Sequence, residues 1–425
     1  MTLKPTVFFR RPVGRRQPAA DVGQSQRLDG QLACLGESRK VYSFERPLDA
    51  WGNSRQGAGS NLLRESGPSF SFIRSSGKRL SFSNMRMLVT GSSGFIGRHV
   101  VATLCAGGHW VAGLDKTEDC DRAENTHLVC DLLDGDRLTR LVSEIAPDAV
   151  IHLAARTDLE EKKRLDAYAA NIEGVRNLVS AIAATPSVRR CIFTSSQLVC
   201  RVGYRPRHDN DYCPNTLYGQ SKVRTEQIVR ETDGGVDEWC IVRPTTVWGP
   251  GMNAHYRRFF DLIQKGSYFH VGTQPLHKSY SYVGNIAFQY LQLLAAPKEH
   301  IERRTFYLAD YRPIELATWA NAFQNALGAP RIGRMPRGLA RVLARIGDAV
   351  NVLGFHNFPL TSFRLNNILT EYCFDLSPTE SVCGSLPFSL EEGVRATVEW
   401  IRQANGAVGT GTKQISGKGP SIVPK

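Results

Sequence analysis

Short, continuous apolar runs recur along the chain, separated by stretches whose apolar residues fall at three- and four-residue spacing. The runs Met87–Thr90, Trp110–Leu114, His127–Cys130, Ala149–Leu153, Cys191–Thr194 and Cys240–Val242 are too short for helices and lack strict polar alternation. They predict strands buried on both faces. Ile96–Ala106, Asp136–Ile145, Arg164–Ala184 and Tyr218–Glu231 lie between them and carry the helical period. Strand and helix in alternation predict an α/β fold built on a doubly wound parallel sheet. After Pro250 the alternation loosens. Helical stretches at Tyr256–Gln264, Ile286–Leu294, Leu316–Ala326 and Leu390–Gln403 predict a smaller, mostly helical C-terminal substrate domain.

The two ends differ from this body. Residues 1–84 are rich in Arg, Ser, Gly and Gln and have no sustained period. They are expected to be a basic disordered extension, and the abrupt strand after Met85 suggests a misassigned start; an organelle transit peptide is the runner-up. Residues 404–425, rich in Gly, Ser, Thr and Lys, are expected to form a flexible tail.

Charge refines this division. The net charge is +13, and residues 1–84 hold 14 basic against 6 acidic residues. The body therefore carries a small excess that suits an anionic small-molecule substrate. No aromatic-interleaved basic motif points to nucleic acid. No apolar run reaches the ~18 residues of a membrane span, and Val7-Phe8-Phe9 runs into Arg10-Arg11 rather than a secretory apolar region. Ten cysteines show neither a C-x-x-C pair nor zinc spacing. They read as reduced thiols of a cytoplasmic protein, with no metal site.

The first strand runs into Thr90-Gly91-Ser92-Ser93-Gly94-Phe95-Ile96-Gly97, which opens a helix. Gly91 permits a tight turn, Gly94 lets backbone N–H groups approach a pyrophosphate, and Gly97 lets helix and strand pack. The helix N-terminus supplies an anion site. Asp115, ending the second strand, can accept bonds from a ribose diol and would repel a 2′-phosphate. The expected cofactor is therefore NAD rather than NADP, with Lys116 tempering that preference. Asp131-Leu132 closes the third strand, where a carboxylate meets an adenine amine or simply caps the strand. His152-Leu153-Ala154-Ala155 ends the fourth with small residues that leave room for a flat cofactor, and His152 reads as a packed histidine.

Ser196 follows the fifth strand, and Tyr218 and Lys222 stand four residues apart, on one face of a helix. A phenol titrates near 10, too high for a base at neutral pH. A cation about 4 Å away at an effective dielectric of 20 is worth roughly 4 kcal/mol, or about three pKa units. That suffices to bring Tyr218 into working range.

At this point residues 85–403 resemble the extended short-chain dehydrogenase/reductase superfamily, and within it the NAD-dependent epimerase/dehydratase family acting on nucleotide sugars. The resemblance rests on the Gly motif, Asp131-Leu132, His152–Ala155, Asn171-Ile172-Glu173-Gly174, Phe193–Ser196, Pro214–Lys222, Arg243–Pro250, Ser389–Val394 and Glu399-Trp400. It implies a Rossmann-type NAD-binding domain over 85–250 and a partly interleaved substrate-binding region over 251–403. It implies Ser196 as hydrogen-bond partner of the substrate hydroxyl, Tyr218 as acid/base, and Lys222 holding the nicotinamide ribose. Phe95, Ile96, Leu132, Leu153, Ala154, Ala155 and Pro244 join the glycines and Asp115 as expected cofactor contacts.

Departures narrow the chemistry. Gln197-Leu198 stand where sugar dehydratases place Asp-Glu, and Gln cannot protonate a leaving hydroxyl. Dehydration and decarboxylation are disfavoured, while Cys200-Arg201 stand where epimerases usually carry Tyr-Gly. The reading that the resemblance implies is epimerisation of a nucleoside-diphosphate sugar through a keto intermediate, expected to serve surface-glycan precursor synthesis. A keto-sugar reductase or hydroxysteroid-type dehydrogenase is the alternative. Thr246 replaces a substrate-touching Asn of the family, and Lys278 falls where an Arg meets the sugar diphosphate. A homodimer through the helices Arg164–Ala184 and Tyr218–Glu231 is implied as well. Cys200 and Cys213 read as bystander thiols. Arg337, Arg341 and Arg345 line one helical face, with Leu339, Val342, Leu343 and Ile346 elsewhere. The expectation is a solvated face beside a packed apolar one, with a membrane-surface helix as alternative.

Overall fold

The computed structural model describes residues 84–118, 123–353 and 360–410. The extension 1–83 and the end of the expected tail, 411–425, lie outside the described residues.

Seven strands form one parallel sheet: β1 Arg86–Thr90, β2 Trp110–Asp115, β3 Thr126–Val129, β4 Ala149–His152, β5 Arg190–Thr194, β6 Glu238–Pro244 and, after shorter strands, β11 Arg304–Leu308. Their order is β11-β6-β5-β4-β1-β2-β3. Helices α1 Phe95–Ala106 and α6 Val283–Ala295 cover one face, where Val100, Leu104, Ile286 and Tyr290 meet Val89, Ile151 and Val242. Helices α2 Gly135–Ile145, α3 Ala169–Ala183 and α4 Leu217–Glu231 cover the other, with Leu138, Leu178 and Ile228 packed on Leu88, Val150 and Phe193. Burial on both faces explains why these strands read as unbroken apolar runs.

Strand β11 was not among the predicted strands. It is an edge strand pairing only β6, with Phe306 opposite Val242. Only alternate residues, Phe306 and Leu308, are fully buried, so the continuous apolar signal is missing. Chain beyond Pro250 thus returns to the main sheet. The remaining strands form two-stranded pairs: β7 Thr246–Trp248 with β10 Tyr280–Tyr282, β8 Phe269–Val271 with β13 Gly333–Met335, and β9 His277–Lys278 with β12 Ile314–Glu315. Helices make up most of this region, as expected. Helix Leu390–Thr410 runs past Ala404 into the stretch expected to be a tail.

Strand order reverses between β1 and β4, which opens a crevice at their carboxyl ends. The glycine turn, Asp115, Leu153–Ala155, Ser196 and Pro244 all lie at this end of the sheet.

Candidate active site

The turn after β1 is shaped by what its glycines leave out. Gly91 sits at φ +74°, and a Cβ on it would lie 2.6 Å from the Ala154 backbone nitrogen. A Cβ on Gly97 would lie 2.0 Å from the Gly91 carbonyl oxygen. Loop, helix α1 and the end of β4 therefore meet backbone to backbone. Gly94 stands at the start of α1 with no side-chain cap, leaving the helix N-terminus to a ligand. Phe95 and Ile96, in the first turn, are half-buried, and Leu153, Ala154 and Ala155 are half-buried across the crevice.

Asp115 is fixed beside this loop. One carboxylate oxygen accepts from the Ser93 backbone nitrogen at 3.2 Å, the other from that of Lys116 at 2.8 Å. Both oxygens keep lone pairs for a diol. A glycine cradle that any Cβ would fill, an uncapped helix N-terminus and a carboxylate at its flank together fit a dinucleotide such as NAD. Asp131 is exposed and caps its own turn, accepting from Leu133 N at 3.0 Å. The Leu132 side chain is buried, and a Cβ on Gly174 would lie 2.8 Å from its Cβ. Its carbonyl accepts from the Asn177 amide at 2.8 Å.

Beyond β5, the Ser196 hydroxyl accepts from Leu198 N at 3.1 Å and is almost buried. Thr216 caps α4 by accepting from Gly219 N at 3.0 Å. Tyr218 lies in the first turn of that helix, its ring centroid 6.3 Å from that of Tyr168. One turn on, the Lys222 ammonium is buried and donates to the Thr194 carbonyl at 2.9 Å. Desolvation lowers its pKa to about 8, with Glu226 pulling the other way. His152 is wholly buried at the end of β4, with Nδ1 2.8 Å from the Thr90 hydroxyl. Burial, then the nearby Lys222, depress its pKa to about 3, so it is a neutral packed histidine.

Two supports had no role assigned from sequence, although both residues lie in quoted motifs. The Asn171 amide on α3 donates to the Ser221 hydroxyl and to the Arg156 carbonyl, both at 2.9 Å, and accepts from Arg156 N. Ser221 in turn donates to the Tyr218 carbonyl at 2.7 Å. Asn171 thus joins the chain after β4 to the helix that carries Tyr218 and Lys222. On β6, Arg243 makes a buried two-pronged pair with Glu226 of α4, at 2.8 and 2.7 Å. Their signal was available in principle: an Asn and an Arg amid apolar runs must find buried partners.

Thr246 is half-buried and its hydroxyl accepts from the Gln197 amide at 3.2 Å, which places it beside the loop after Ser196. Pro244 ends β6 opposite Leu308. Lys278 departs from expectation. Its ammonium donates to the backbone carbonyls of Asn367, at 2.7 Å, and Thr370. It ties down the end of helix Ser362–Leu369, where carbonyls lack helical partners. Burial lowers its pKa to about 8. Cys200 and Cys213 face each other as bridge partners but remain free thiols. Burial pushes the Cys200 thiol up, which fits a bystander. Among the described residues no group of His, Cys, Asp and Glu is arranged for a metal. Nor is any helix among them long and apolar enough to cross a membrane.

Comparison with known proteins identifies the family. The sequence profile of the NAD dependent epimerase/dehydratase family matches residues 87–308. A 3-beta-hydroxysteroid dehydrogenase of Mycolicibacterium neoaurum is 30% identical over 264 residues, covering 57% of this chain and 70% of that protein. The N-acetyl-alpha-D-glucosaminyl-diphospho-ditrans,octacis-undecaprenol 4-epimerase of Escherichia coli O157:H7 is 24% identical over 326 residues, 75% of this chain and 95% of that protein. Among solved structures, the UDP-glucose 4-epimerase of Thermotoga maritima with UDP-glucose shares the fold at a TM-score of 0.59 and 21% identity, covering 76% of this chain and all of that one. With the family profile spanning more than half of its length, the chain belongs to the NAD-dependent epimerase/dehydratase family of enzymes.

Proposed function

We propose that the protein epimerises a secondary hydroxyl of a nucleoside-diphosphate sugar through a transient keto-sugar, in the cytoplasm, as a step of surface-glycan precursor synthesis. The observation that carries this reading is the composition of the loop after β5. Ser196 and Tyr218 stand at the same end of the sheet, while Gln197, bonded to Thr246, and Leu198 offer no carboxyl group. The site holds an acid/base for the substrate hydroxyl and lacks an acid for expelling a second one.

Gly91, Gly94, Gly97, Asp115, Ala154, Ala155 and Pro244 would hold the NAD, with Lys222 on its ribose. Bound there, NAD would supply a reversible hydride acceptor for the sugar carbon. Tyr218 takes the hydroxyl proton and later gives it back. Ser196 holds the same oxygen, fixing it for transfer. The buried Lys222 charge favours the phenolate. A homodimer through α3 and α4 belongs to the same reading.

One observation favours a second reading, net oxidation or reduction of an apolar alcohol: Lys278 is engaged with backbone carbonyls, so the expected diphosphate cation is missing. One experiment separates the two. The full chain is incubated with UDP-, GDP- and dTDP-sugars without added cofactor, and products are resolved by ion exchange and NMR. A new epimer that disappears in Tyr218→Phe supports epimerisation. No epimer, with 340 nm turnover when free NAD and an apolar secondary alcohol are supplied, replaces it by the dehydrogenase reading.

A further inference from the structure

Helix Arg337–Val352 does not bury the face expected of it. It packs through small residues: Ala340, Ala344 and Gly347 are buried, against Leu365 of helix Ser362–Leu369. Leu339, Val342 and Ile346 point outward, each about half exposed, at 51%, 54% and 49%. Leu353, just past the helix end, is exposed by 76%. Positions 339, 342, 346 and 353 fall on one stripe of a helical surface. The exposed Phe363 lies at the start of the next helix. The expected solvated basic face is present, with Arg341 and Arg345 exposed, but the expected packed apolar face is not: much of the apolar stripe is solvated too.

Charge gives the stripe a direction. Arg341 and Arg345 are exposed along its flank, and Arg331 and Arg334 are exposed just before the helix. Residues 331–364 contain six arginines and one acid, Asp348. Asp348 is occupied in accepting from Ser362 N at 3.1 Å. Everywhere else in 85–425, cationic and anionic residues are equal in number, so this segment accounts for the whole net charge of the body.

We propose that this helical hairpin is a membrane-docking face that lies on an anionic lipid surface. Leu339, Val342, Ile346 and Leu353 would enter the boundary between headgroups and acyl chains, and the arginines would meet lipid phosphates. A convex stripe of leucine, valine and isoleucine edged by arginine has the composition of an interfacial helix. A second copy of the chain fits less well. Two such faces brought together would oppose arginine to arginine, with no exposed acid of the segment to offset them. The inference holds under either substrate reading. It would set the loop after Ser196 near the bilayer. Thr370, which follows the hairpin, packs toward Gly203, and Tyr372 donates to the Cys200 carbonyl at 2.9 Å.

The test is co-sedimentation of the full chain with sucrose-loaded vesicles, either phosphatidylcholine alone or phosphatidylcholine with phosphatidylglycerol. The double variants Leu339→Glu/Ile346→Glu and Arg341→Glu/Arg345→Glu are compared with the parent, with folding of each checked by circular dichroism. The parent is expected to bind the anionic vesicles. Each variant is expected to lose about tenfold or more in partitioning. A parent that stays in the supernatant overturns the proposal. So do variants that bind like the parent, which would assign binding to another part of the chain. Sedimentation velocity showing a self-associated parent and smaller variants would overturn it in favour of a second copy.

Discussion

The Lys222 ammonium donates to the Thr194 carbonyl at 2.9 Å, deep inside the protein at the end of β5. Burial has lowered its pKa from 10.5 to about 8. In the unfolded chain the proton is held to about 10.4, so between these values the unfolded state binds more protons. Stability contributed by this group therefore rises with pH from 8 to about 10.4, and at neutral pH the charged lysine costs on the order of 3 kcal/mol. Lys222→Met should abolish turnover yet raise stability at pH 7 by roughly 1–3 kcal/mol, with the loss of the Thr194 partner setting the lower end. Urea unfolding across pH 7 to 10 reads both the gain and the flattened pH slope. A variant less stable than the parent at pH 7 would show that the bond to Thr194 outweighs desolvation.

Arg243 and Glu226 form the opposite kind of buried charge. Both are almost inaccessible, the two bonds are parallel, and Tyr212 also donates to Glu226 at 2.9 Å. Glu226→Gln leaves a buried guanidinium without its counter-ion and is expected to cost about 3–5 kcal/mol in chemical denaturation. A cost below ~1 kcal/mol would mean that Tyr307 and the Asp209 carbonyl satisfy Arg243 by themselves.

Gly97 carries a steric prediction. A methyl group there would overlap the Gly91 carbonyl, so Gly97→Ala must push α1 away from the turn. The expected results are a loss of about 1–3 kcal/mol and loss of the NAD that co-purifies, read by absorbance after denaturation. Retention of stoichiometric NAD would contradict the assignment of this turn.

Lys278→Met tests which group meets a diphosphate. With the ammonium held by the Asn367 and Thr370 carbonyls, UDP affinity measured by calorimetry should change by less than about threefold. A loss of tenfold or more would mean that the side chain swings to the ligand when one binds.

Much of the fold was legible because strands buried on both faces announce themselves as apolar runs, as β1, β2, β4, β5 and β6 do; the edge strand β3 is only half-buried but still apolar enough to read. Strand β11 did not, since only Phe306 and Leu308 are fully buried. In the site, residues joined by local spacing were readable: Gly91, Gly94 and Gly97 around one turn, Tyr218 and Lys222 on one helical face. Residues whose role depends on distant chain were not. Lys278 looks in sequence like any cation, and only folding brings Asn367 and Thr370 to it. The Arg337–Val352 stripe was misjudged because amphipathic spacing names two faces without saying which one the small residues Ala340, Ala344 and Gly347 will bury.

The phenol of Tyr372 donates to the Cys200 carbonyl and lies 3.1 Å from that of Gln197, reaching from the last quarter of the chain to the loop after Ser196. The loop after Ser196 is consequently anchored by a residue 175 positions further along the chain. Substitutions around Tyr372 can therefore shift the setting of that loop while the glycine turn and α4 keep their sequence.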